Sequence, residues 1–126
     1  MTVGLLAVFP ENPSVDMART LDLSGYTWKG VGGADALRRL SPVNGWAGAV
    51  VGCDEDPESG WAMCRALRRL EQPVQRILVL VKGAQIGDLE VRDDLFDDFC
   101  LAPFHPRELE ARLRHMFFHE IGRAHV

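Results

Sequence analysis

His115 and His119 stand four residues apart in a stretch of helical periodicity, a spacing that could set two imidazoles on one helix face around a metal ion. No third ligand accompanies them, and histidines near a helix end interact with the terminal carbonyls in any case, so no metal is expected. Cys53, Cys64 and Cys100 are an odd set without metal-ligand spacing. Cys64 and Cys100 fall at packing positions, whereas Cys53, at the C-terminal end of an apolar run, is the one thiol that could sense redox state. Gly30, Gly32 and Gly33 lack both the lysine of a phosphate-binding loop and the full dinucleotide spacing, so they are read as turn glycines. Trp28, Trp46 and Trp61 are too dispersed to form a ligand box and are assigned to packing. No set of titratable groups converges on one predicted site; an enzyme and a cofactor are not expected.

The elements that would position these residues alternate between strands and helices. Val3 to Phe9 is an apolar run bounded by Pro10 and Pro13, suited to a strand buried on both faces. Pro13 and Ser14 open a helix with Met17 and Leu21 on one face, ended by Gly25. Tyr26 to Val31 is expected as the second strand, and Gly33 to Leu40 as the second helix, stopped by Pro42. Gly48 to Cys53 follows as the third strand. Ser59 is the expected cap of a helix with Met63, Leu67 and Leu70 inward. Arg76 to Val81 is the fourth strand, Gly83 to Leu95 leaves room for only a short helix, and Phe96 to Leu101 is the fifth strand. The last helix begins at Pro106 and carries Leu109, Leu113, Met116 and Phe117 on one face. This rhythm predicts an α/β domain with a parallel sheet covered on both faces.

The chain of 126 residues, nearly half of them hydrophobic, has room for one domain. A net charge of −4 argues against binding nucleic acid through this region by itself, since nonspecific affinity comes from neutralising phosphates. Unpaired cysteines, no signal peptide and no long apolar span lead to the expectation of a cytoplasmic protein with no membrane role.

The stretch from Asp97 through Pro103-Phe104-His105-Pro106 to Arg114 resembles the C-terminal strand, loop and helix of bacterial response-regulator receiver domains. Gly33-Ala34-Asp35-Ala36-Leu37 is similar to that family's second helix, and Pro57 with Gly60 to Arg68 to its third loop and helix. The Ala-Arg-Leu-Arg ending is most similar to OmpR-type transcriptional regulators, in which a winged-helix DNA-binding domain follows the receiver. The resemblance covers the chain to His119 and implies a doubly wound, flavodoxin-like, five-stranded sheet of order 2-1-3-4-5.

It also implies a phosphorylation pocket, and there the sequence departs from the family. The acidic pair after the first strand is replaced by Phe9-Pro10, with Glu11 beyond, so magnesium lacks its usual ligands. Counting back from Gly60 sets Gly52 at the nucleophile position; counting from Pro57 sets Cys53 there. Asp54 follows as a shifted acceptor. The expected hydroxyl falls at Val81 or Lys82, and the lysine that contacts the phosphoryl group is Ala102, whose methyl can neither neutralise nor hydrogen-bond an oxygen.

The family's pairing surface remains: Asp97, Asp98, Glu108 and Arg112 match a symmetric dimer face crossed by ion pairs, and Phe99 takes the position of the switch aromatic. The expectation is therefore a non-catalytic, phosphorylation-independent receiver that forms a homodimer and meets DNA only through a further C-terminal domain. The alternatives are a stand-alone protein-interaction module and a small-ligand sensor. The last seven residues, Glu120 to Val126, look like an in-frame sequencing adapter, so the receiver-like domain is expected over 1–119 with the natural chain continuing beyond it.

Overall fold

The structure, a computed structural model, describes residues 3–118. Its sheet contains β1 (Leu6–Phe9), β2 (Trp28–Gly30), β3 (Gly48–Gly52), β4 (Ile77–Val81) and β5 (Asp98–Leu101), all parallel, in the order β2-β1-β3-β4-β5. β3 and β4 are buried along their whole length, which explains why both read as unbroken apolar or small residues without alternation. β2 is shorter than the expected Tyr26–Val31. It lies at an edge with Lys29 exposed, and only three of its residues join the ladder.

Four helices cover the sheet: α1 (Val15–Leu23), α2 (Ala34–Arg39), α3 (Pro57–Arg68) and α4 (Pro106–Phe118). Alternate strand residues feed two cores. Ala7, Val51, Val79 and Cys53 pack with Leu37 of α2 and with Met63 and Leu67 of α3. Leu6, Val8, Val50 and Leu78 pack with Met17 and Leu21 of α1 and with Leu109, Leu113 and Met116 of α4. α3 approaches the sheet closely: a Cβ on Gly60 would lie 2.6 Å from Cys53 Sγ and from the Gly52 carbonyl oxygen.

Two local expectations are corrected. Asp56, not Ser59, caps α3: its Oδ1 accepts from the Ser59 amide at 3.3 Å and its Oδ2 from the Ser59 hydroxyl at 2.7 Å. Pro57 then occupies the first helical position, where no amide partner is needed. The short helix expected between Gly83 and Leu95 is two 3₁₀ segments, Gly83–Asp88 and Glu90–Leu95, with non-helical backbone at Arg92. Neither segment contains a buried residue, and Leu89 between them supplies the inward anchor, so no continuous apolar face is available to hold a full α-helix.

Candidate functional site

The C-terminal ends of β1, β3, β4 and β5 bring the residues of the implied pocket to one edge, the place where doubly wound folds receive ligands. Register separates the two nucleophile candidates. A Cβ on Gly52 would project toward the mouth, 3.3 Å from Pro10 Cδ and 3.4 Å from the Phe9 carbonyl oxygen. Cys53 points the other way: it is fully buried in the core under α3, and its amide donates to the Leu80 carbonyl at 2.8 Å. Its thiol is pushed far above the ordinary range, first by hydrogen bonding with Cys64 and then by burial. The expectation that Cys53 could be an accessible redox thiol is thereby corrected, because reactivity requires a reachable thiolate. Cys100, on the opposite core, is pushed up to about 11 by burial and by the Glu108 charge.

The side-chain position missing from Gly52 is approached by Asp54. Its Oδ1 lies 3.4 Å from where the Gly52 Cβ would be, so the half-buried carboxylate folds back over the glycine. Glu11 turns elsewhere. Its carbonyl lies where a Gly30 Cβ would project, and its Oε1 is 2.8 Å from the Cβ position of Gly32, on the β2 side of β1. The mouth beside Gly52 thus receives Pro10 and the single carboxylate of Asp54, and one carboxylate is not the donor set of the divalent cation the resemblance implies. Among the described residues, no group of three His, Cys, Asp or Glu side chains is placed to hold a metal ion. His119 lies outside the described residues, as do the adapter-like Glu120 to Val126.

Val81 is a fully buried core residue, and Lys82 is exposed. Ala102 extends the pairing of β5 by donating its amide to the Val81 carbonyl at 2.8 Å, with only a methyl as side chain. The peptide bonds Phe9-Pro10 and Ala102-Pro103 on the two sides of this edge are cis. Gln85, which the sequence reading missed, ties the edge together. Its side-chain oxygen accepts from the Lys82 amide, and its Nε2 donates to the Cys53 carbonyl at 2.9 Å. The spacing of three from Lys82 is a local signal for the first bond; the second spans 32 residues and leaves no trace in the sequence.

The charges of the implied pairing face are engaged within one chain. Arg112 donates to Asp98 Oδ1 at 3.0 Å and to Glu108 Oε2 at 3.1 Å, and its guanidinium stands 5.6 Å from the centre of the half-buried Phe99 ring. Burial pushes the Arg112 pKa down, but the bond to Glu108 and the charge of Asp98 outweigh it and hold the guanidinium above its ordinary value. Asp97 accepts from Arg68 at 3.2 Å and from the Ile77 amide at 2.8 Å. Arg92 lies 5.1 Å over the buried Trp61 ring.

No protein-family model matches the sequence. The fold, however, is matched by solved structures along nearly its whole length. The magnesium-bound receiver domain of a Pseudomonas aeruginosa sensor histidine kinase is similar at 21% identity and a TM-score of 0.70, covering 90% of this chain and 96% of that one. A chemotaxis protein of Vibrio cholerae is similar at 18% identity and a TM-score of 0.73, covering 92% and 99%. The N-terminal signal receiver domain of a Bacteroides fragilis two-component response regulator is similar at 18% identity and a TM-score of 0.70, covering 92% and 98%. The fold is that of response-regulator receiver domains. The sheet order 2-1-3-4-5 agrees with this, and no helix among the described residues is long and apolar enough to cross a membrane.

Proposed function

We propose that this chain is a receiver-fold signalling module that works without phosphoryl transfer, as the cytoplasmic N-terminal regulatory and dimerisation part of an OmpR-type winged-helix transcription factor. One observation carries the first half of this reading: at the mouth of the sheet, Gly52 offers no side chain and Pro10 stands against it. Phosphoryl transfer onto a carboxylate needs a positioned nucleophile and cations that neutralise the transferred group. Here Ala102 has no charge, Glu11 is turned toward Gly32, and Val81 has no hydroxyl. Asp54 reaches the mouth from the loop, one residue beyond the buried Cys53, without the accompanying charges.

Support for the second half comes from the OmpR-like sequence of α4 and from the Asp98, Glu108 and Arg112 network. That network fixes three charged side chains on the β5 and α4 corner as a patch that a two-fold axis can pair with itself. A winged helix joined to each protomer would then meet DNA as a pair, on half-sites whose spacing the dimer sets.

Incubation with acetyl phosphate and magnesium tests the loss of phosphoryl transfer. The intact mass should stay unchanged; a labile phosphoryl adduct that disappears in Asp54→Asn would overturn it. For the dimer, sedimentation should detect weaker self-association in Arg112→Ala, and an unchanged monomer fraction would reject the β5 and α4 face.

A further inference from the structure

A cavity of about 560 Å³ opens between α2 and α3, at the end of the sheet opposite the mouth of β3. Its apolar lining includes Leu37, Ala66 and Leu70, Val43 at its rim is 94% exposed, and Arg38 and Arg69 line it from the two helices. The only ion pair of Arg38 among the described residues is a long one to Asp35 at 3.8 Å, with both side chains mostly in solvent, and Arg69 makes none. Such pairs contribute little, so both guanidiniums are free to meet another partner. Glu71 is the single carboxylate in the lining. In a chain of net charge −4, this groove is locally basic.

The complementary surface lies on the other flank of α3. The segment Glu90–Leu95 is held against that helix by Phe96, the residue that follows it, on Trp61 at 6.0 Å between ring centres, and by Arg68, which donates to the Asp94 carbonyl at 3.1 Å. It carries Val91, 80% exposed, among the exposed acids Glu90, Asp93 and Asp94, none of which forms an ion pair among the described residues. The one basic residue of the segment, Arg92, is folded back over Trp61 and forms no ion pair with them among the described residues.

From these two surfaces we infer that a second copy of this chain docks here, with the acidic, Val91-bearing segment of each protomer seated in the α2–α3 groove of the other. Both surfaces flank α3 on the same side of the sheet, so a two-fold axis near α3 forms both contacts at once, as an isologous interface requires. Apolar Val91 meets the apolar groove, and its flanking carboxylates meet Arg38 and Arg69. Opposite charge steers the encounter and fixes the register, while a like-charged partner is repelled. This interface is distinct from the β5 and α4 face, so the two succeed or fail separately.

Sedimentation of the full chain at low and moderate salt tests the pairing. The groove variant Arg38→Glu/Arg69→Glu and the segment variant Glu90→Lys/Asp93→Lys should each weaken self-association at least about tenfold, because each sets like charges opposite one another. Mixing the two variants should restore association, since the reversed groove of one then meets the reversed segment of the other. Arg112→Ala should leave this contact intact. Circular dichroism of each variant establishes that it is folded. Self-association unchanged in both folded variants, or a mixture that stays as weak as its components, would overturn the proposal. So would a wild-type chain that stays monomeric at every concentration reached.

Discussion

The mouth of the sheet beside Gly52 and the corner where β5 meets α4 differ in one respect: the first lacks most of the charges its family resemblance implies, and the second retains them. At the mouth, Pro10, Gly52, Val81 and Ala102 stand where acids, a hydroxyl and a lysine were expected, yet the ends of β1, β3, β4 and β5 still meet in parallel register. At the corner, Asp98, Glu108 and Arg112 form a connected network on the surface. The difference teaches that the frame of this domain does not depend on the chemistry of its pocket. Packing of the two cores holds the strands in place, and the pocket residues lie at the last position of a strand, as Gly52 and Val81 do, or just beyond one, as Pro10 and Ala102 do.

The largest expected effect breaks the frame itself. Leu113→Ala removes a fully buried side chain from the core that α1 and α4 share with the sheet, and should lower the unfolding free energy in urea by about 2–5 kcal/mol. A loss below about 1 kcal/mol would contradict the view that this core carries the corner. At the mouth, Ala102→Lys should shift stability by no more than about 0.5 kcal/mol, because the side chain leaves from a half-buried turn. On the proposed reading it should also not restore labelling by acetyl phosphate, since Gly52 would still offer no carboxylate. Appearance of a phosphoryl adduct in this variant would make the missing lysine, rather than the missing carboxylate, the reason for silence.

The smallest effect concerns Asp56, which starts α3 directly after the mouth. Its hydrogen bonds from the Ser59 hydroxyl and amide hold its carboxyl below the ordinary value of 3.8. A depressed native pKa means that the stabilisation is fully present above the unfolded value and is lost as pH falls through the native one. Asp56→Ala should therefore lower the Tm slightly near neutrality, and the gap to wild type should close as the pH drops below the ordinary aspartate range. A gap that persists at low pH would assign the effect to something other than the charged cap.

Much of the frame was legible in the chain. β3 and β4, buried on both faces, announce themselves as uninterrupted apolar or small residues, and α4 announces itself by Pro106 and by Leu109, Leu113 and Met116 at helical spacing. The α3 cap was misjudged because Asp56, three residues before the expected Ser59, also has side-chain oxygens able to accept from amides. Pro57 held the answer, since it favours the first helical position and so makes Asp56 the cap. The two 3₁₀ segments gave no signal, because their inward apolar residues, Leu89 and the half-buried Leu95, are too few and too widely spaced to set a helical period.

By itself the sequence determined the alternation of strands and helices, the apolar faces, and the departures from the resemblance at Phe9-Pro10 and Ala102, while it left Gly52 or Cys53 and Val81 or Lys82 as alternatives. Those properties follow from residue type and from spacing within one element. The tertiary structure alone decided that Gly52 faces the mouth while Cys53 lies under α3, that Glu11 turns toward Gly32, that Gln85 bridges to Cys53, and that Arg112 is held by both Asp98 and Glu108. A strand reverses its side chains with every residue, so a one-residue ambiguity in counting exchanges core for pocket. The partners of Gln85 and Arg112 come in part from elements far along the chain, and only the folded sheet brings them within hydrogen-bond distance.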